Sequence, residues 1–173
     1  IFAIAIGTVL LPTLSKLDLS KEKLTFINSI KKGQKFVLFI GIPSLIGLMF
    51  CAEDLISTIF YRGAFTEVDV HKSSYSLIAF SFGLPFFMLM KVLTPAFFAR
   101  KDTKTPMYVA FVSLVLNASL NYLLAFTFGL GHVGIAIGSS IAALISVLIL
   151  ELILFKDGFL KIQSIFNRFN FMV

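Results

Sequence analysis

The chain has 173 residues, of which 58% are hydrophobic and 14% charged, with a formal net charge of +6 and a mean hydropathy of +0.96. Soluble globular chains are about a quarter charged, so this composition excludes an ordinary soluble domain and indicates an integral membrane protein, an all-α polytopic transmembrane bundle. A lone cysteine, Cys51, excludes both an intramolecular disulfide framework and a cysteine-cluster metal site.

The first stretch, 1–12, is already apolar and lacks the charged leader and cleavage site of a signal peptide. It reads as the end of a membrane helix. Residues 13–33 are polar and lysine-rich. From Ser20 on, Leu24, Ile27 and Ile30 fall near one helical face, which predicts a short amphipathic helix lying along the headgroups, with a soluble helix hairpin as the alternative.

A crossing helix needs about 20 mostly apolar residues, and four segments approach that. The first is 34–51, with Pro43 inside it. Residues 52–66 then mix acids with an apolar stripe and a glycine turn. The second span is 67–99, opened by Thr66 as N-cap with Asp69 three residues later, and it contains Pro85, Lys91 and Pro95. The third is 106–128, with Thr105 as N-cap, Pro106 at the first helical position and Gly129 beyond its end. A three-residue link, 129–131, makes the third span and the fourth, 132–155, antiparallel neighbours. Residues 156–173 read as a further loop leading into the start of another apolar run.

The connections alternate between the two sides of the membrane. One set, 13–35, 100–105 and 156–168, holds twelve lysines and arginines; the other, 52–72 and 129–132, holds Arg62 and Lys72 only. The positive-inside bias makes the first set cytoplasmic. The same distribution argues against nucleic acid as a partner, since the basic residues mark topology and form no basic face interleaved with stacking aromatics.

Signatures of catalysis are absent: no phosphate-cradling glycine loop, nucleophile elbow or metal-spaced histidine pair occurs, so no catalytic residue, metal or cofactor is expected. His71 and His132 read as interfacial. Polar groups within the spans carry more weight, because burying them in lipid is costly. Lys91 lies about nine residues, roughly 13 Å, from the cytoplasmic end of its helix. It either snorkels to the headgroups or faces a hydrated cavity that takes an anion. Asn117 and Asn121 stand one turn apart, as interhelical glue or as pathway lining, and Gly134, Gly138 and Ala142 form a small-residue packing face. Glu151 reads as an interface residue. Prolines 43, 85 and 95 suit the bent helices of a transporter.

The string VLTPAFFARKDTKTP at 92–106, which holds Arg100, Asp102, Lys104, Thr105 and Pro106, resembles a signature of the MurJ/MviN family of lipid II flippases. GTVLLPTLS at 7–15 is similar to the end of that family's eighth helix. RGAFT at 62–66 is similar to its short element before the tenth, and Lys91 precedes the long motif as the family pattern has it. The resemblance covers roughly 5–155. It implies part of the second lobe of a two-lobe MATE-like transporter in the bacterial inner membrane, complemented by an N-terminal lobe of the same chain. The implied substrate is lipid II, the undecaprenyl-pyrophosphate-linked disaccharide-pentapeptide, moved between leaflets among the membrane lipids. The family's best-known cavity arginines and aspartate fall mostly in regions outside 1–173, so none is carried over. A related exporter of drugs or of another polyprenyl-linked glycan, and a non-transporting membrane scaffold, are the alternatives.

Overall fold

A computed structural model of the protein describes residues 2–19 and 21–158. Every regular element among them is helical: α1 Phe2–Ser15, α2 Lys23–Phe50, α3 Ala52–Phe60, α4 Glu67–Ala99, α5 Lys104–Tyr122, continued by a π-helical stretch Leu123–Thr127, and α6 Gly131–Lys156. Four are long and apolar enough to cross a membrane: α2, α4, α5 with its π extension, and α6. The further apolar run expected near 173 lies outside the described residues.

The expected break between a surface helix at 20–33 and a span at 34–51 does not occur. Helix α2 runs unbroken from Lys23 to Phe50. Its inward stripe is Phe26, Ile30, Gly33, Val37 and Gly41, spaced by three and four residues, and Phe26, Ile30 and Val37 are fully buried. Leu24 instead points outward at 75% exposure. Gly33 is a packing position and not a helix end. A Cβ there would lie 3.0 Å from Val92 Cγ1, so the missing side chain lets α2 and α4 approach closely.

The start of α5 also differs from expectation. The helix begins at Lys104, and Thr103, not Thr105, occupies the N-cap position without a side-chain bond. The Asp102 carboxylate accepts the Thr105 N–H at 3.0 Å and does the capping work. Pro106 still falls in the first turn, where its missing N–H leaves no intrahelical bond unmade. The start of α4 is as read: Thr66 N–H donates to Asp69 Oδ2 at 2.9 Å and Asp69 N–H to Thr66 Oγ1 at 3.4 Å. Gly129 is left-handed at φ +67° beyond the π-helical stretch, as its place in the link requires.

The core joins α1, α2, α4 and α6 through Leu10, Leu14, Phe26, Val92, Phe97, Leu150 and Leu154. Helix α6 stands between α4 and α5, and half of its apolar window is buried, against 6% for α5. The ends meet as the alternation requires. Arg100 at the close of α4 pairs with Asp157 at the close of α6, and Lys23 at the start of α2 lies beside Gly158. On the opposite side His71 of α4 faces Glu53 of α3 at 3.3 Å.

Candidate functional site

The family-signature residues build the α4–α5 turn. Helix α4 ends in a Schellman motif: Lys101 N–H donates to the Phe98 carbonyl at 2.9 Å and Asp102 N–H to the Phe97 carbonyl at 3.1 Å. The left-handed position of that motif, normally glycine, is Lys101 at φ 60°. Asp102 then caps α5, and the bonds from Thr105 hold its carboxyl below the ordinary carboxylate range, the side-chain bond contributing most and the backbone bond next. Two helices thus reverse within four residues.

Arg100 anchors that turn to α6. Its Nη2 donates to Asp157 Oδ2 at 2.6 Å, and its guanidinium sits 5.7 Å from the Phe97 ring centroid. The Arg100 side chain is 16% exposed and that of Asp157 37%, so the pair is partly shielded from solvent. Lys104 is exposed, Thr105 half-buried and Pro106 buried. Deeper in the bundle, Gln34 Nε2 of α2 donates to Glu151 Oε1 of α6 at 2.9 Å. Both tie sequence-distant residues, and neither pairing has a local sequence signal. The only hint is that Gln34 and Glu151 occupy similar depths on the basic side.

Lys91 lies on α4, its side chain exposed. Its backbone is the more constrained part. Pro95 has no N–H to offer the carbonyl four residues earlier, so the Lys91 oxygen lacks its helical donor. Gly7 of α1 lies against that oxygen. A Cβ built on Gly7 would be 2.5 Å from it, so a glycine Cα–H points where any other residue would clash. The glycine of the 7–15 motif, Lys91 just before the long motif and Pro95 within it therefore form one contact.

Asn117 and Asn121 are brought together but away from Lys91, since α6 separates α5 from α4. Asn117 Nδ2 donates to Ser139 Oγ of α6 at 3.1 Å, and Asn121 Nδ2 to Asn117 Oδ1 at 2.8 Å. With its amide turned over, Asn121 donates to the Ile135 carbonyl at 3.2 Å. Either orientation leaves α5 hydrogen-bonded to α6. Glycines 134 and 138 receive α5 along this seam: a Cβ on Gly138 would collide with Asn121 Oδ1, and one on Gly134 would stand 2.7 Å from Leu124 C. That contact falls on the π-helical stretch, which the sequence did not announce.

Several long apolar helices, with prolines inside α2 and α4, joined by short turns and with lysines gathered at one side, define a multi-pass membrane protein. The family described as lipid II flippase MurJ matches residues 1–170. The chain belongs to this family. A probable lipid II flippase MurJ of Vibrio cholerae is 41% identical over 150 residues, covering 87% of this chain and 28% of the relative. The lipid II flippase MurJ of Thermosipho africanus is 34% identical over 152 residues, covering 87% and 30%. A solved lipid II flippase MurJ in an inward closed conformation superposes with a TM-score of 0.75 at 34% identity, covering 91% of this chain and 32% of that one. The chain thus spans about a third of the length of these relatives.

Proposed function

We propose that the full protein carries undecaprenyl-pyrophosphate-linked peptidoglycan precursor, lipid II, from the cytoplasmic to the periplasmic leaflet of the bacterial inner membrane. In this reading residues 1–173 supply part of the second lobe, and an N-terminal lobe of the same protein completes the cavity. The observation that carries it is the family match over 1–170. Chemistry supplies the rest. A pyrophosphate does not cross hydrocarbon bare, so a cationic, hydrated path must receive the headgroup while the prenyl chain stays in lipid.

Lys91 is the residue here suited to that task. Its ammonium is exposed and enters no ion pair among the described residues, while its helix is pinned from behind by Gly7. Asn117 and Asn121 act as helix glue, a role supported by the Ser139 bond. Arg100, Asp102, Lys104, Thr105 and Pro106 act as the turn that sets α4 against α5 and α6.

The test is complementation of cells depleted of their own lipid II flippase by the full-length protein. Lys91→Leu should lose flipping at normal membrane abundance, and Lys91→Arg should keep part of it, because charge matters more than shape for a diffuse phosphate contact. Normal flipping by Lys91→Leu would reduce the residue to snorkelling.

A further inference from the structure

The face of α2 opposite its buried stripe is amphipathic along its length. Asn28, Lys32, Lys35, Phe39, Ile42, Ile46 and Phe50 follow one another at steps of three and four residues, with Lys31 flanking them. They lie half a turn away from Phe26, Ile30, Gly33, Val37 and Gly41. The apolar members stand clear of the bundle: Phe39 is 73% exposed and Phe50 85%. The basic members line a shallow recess of Asn28, Lys31, Lys32 and Lys35.

Depth makes this arrangement specific. Helix α2 has 28 residues and is about 42 Å long, against roughly 30 Å of hydrocarbon. The fifteen residues after Lys35, as far as Phe50, carry no charge, so the lysines end where the apolar run begins, and their long stems let Lys31, Lys32 and Lys35 reach the headgroup layer. From Lys31 to Lys35 the helix rises about 6 Å, the thickness of one headgroup layer. Like charges at these spacings repel one another, and Lys31, Lys32 and Lys35 enter no ion pair among the described residues. Glu151, the acid that reaches α2, bonds Gln34 instead. A ligand fitting this face carries a phosphate at the lysine band and acyl chains over Phe39, Ile42 and Ile46.

We infer that this face of α2 binds an anionic phospholipid of the basic-side leaflet, its phosphate held by Lys31, Lys32 and Lys35 and its chains laid along Phe39, Ile42 and Ile46. The site is separate from Lys91 and does not depend on what the protein transports.

The experiment is native mass spectrometry of the delipidated full-length protein titrated with phosphatidylglycerol or phosphatidylcholine. Phosphatidylglycerol should bind preferentially. The triple variant Lys31→Gln, Lys32→Gln, Lys35→Gln should weaken it about a hundredfold, at roughly 1 kcal/mol per lysine near a membrane surface. Arginine at the same three positions should restore binding. Gln at Lys16, Lys21 and Lys23 removes equal charge off this face and should leave it nearly unchanged. Equal loss in both glutamine triples, or no headgroup preference in the parent, would overturn the site. So would displacement of the lipid by inorganic phosphate alone, which marks a soluble-anion site. A Phe39→Cys side chain, in a Cys51→Ser background, should react with a lipid-borne maleimide. Failure to react would mean that another part of the protein covers the face, and the inference would fall.

Discussion

Replacing Gly7 by alanine tests the tightest glycine-to-backbone contact among the described helices. The new Cβ would lie 2.5 Å from the Lys91 oxygen, and no side-chain rotation relieves it because the obstacle is backbone. A comfortable carbon–oxygen contact of about 3.3 Å requires α1 to retreat by roughly 0.8 Å. A gap of that size forfeits a quarter to a half of the dispersion energy of each contact it opens, and Leu10 and Leu14 of α1 are among the buried residues it would loosen. Overpacking of this kind costs about 1–3 kcal/mol, whereas alanine gains up to about 1 kcal/mol over glycine as a helix former. Sterics are the larger effect, leaving a net loss of up to about 2 kcal/mol. Gly47 of α2 is the control, since nothing among the described residues lies within 4 Å of its would-be Cβ. There only the helix-forming gain remains. In thermal unfolding of the detergent-solubilised full-length protein, Gly7→Ala should lower the midpoint and Gly47→Ala should leave it unchanged or raise it. A Gly7→Ala midpoint at or above the parent's would refute the contact.

Three further outcomes follow from the basic side and from topology. Arg100→Ala and Asp157→Ala, combined in a double-mutant cycle of thermal stability, should show a coupling of about 0.5–2 kcal/mol that shrinks in high salt; no coupling would make the 2.6 Å pair incidental. Lys101→Gly should stabilise by about 0.5–1 kcal/mol, because the left-handed penalty of roughly 1–2 kcal/mol exceeds the chain entropy glycine adds, and a lower unfolding midpoint would show that the lysine is unstrained. In a Cys51→Ser background, Asp102→Cys should be shielded from an impermeant thiol reagent outside intact cells while Glu67→Cys reacts, and the reverse pattern would invert the orientation.

What the sequence discloses is what short-range physics determines. Apolar runs mark the crossing helices, lysine placement groups the loops, and Thr66 with Asp69 announces a cap because both partners lie within one turn. Partners far apart in the chain left no such trace: Gln34 and Glu151 are 117 residues apart, Arg100 and Asp157 57. The expected break after residue 33 fails for a related reason: lysine-rich composition suggests a loop, and only the packing of Phe26, Ile30 and Gly33, the last against Val92 of another helix, shows that the helix runs through it. Lys101 carries no turn signal at all, so its left-handed backbone comes from the Schellman bonds and not from its own preference. Of the candidate site, the loop and the asparagine pair are legible as groups, but the separation of that pair from Lys91 by α6 is not.

Helix α5 meets the described protein along a single seam, through Asn117, Asn121 and the π-helical stretch on Gly134 and Gly138, and at the tight turn that begins it. Selection on this helix is therefore divided by face. Along the seam a change of one methyl group meets backbone, so replacements there should be purged. On the outer face, where Phe111, Leu114 and Phe126 stand at 65–77% exposure, no described residue fixes a side-chain shape, and those positions should drift freely among large aliphatic and aromatic residues between species. The helix should age as a conserved spine with an interchangeable coat.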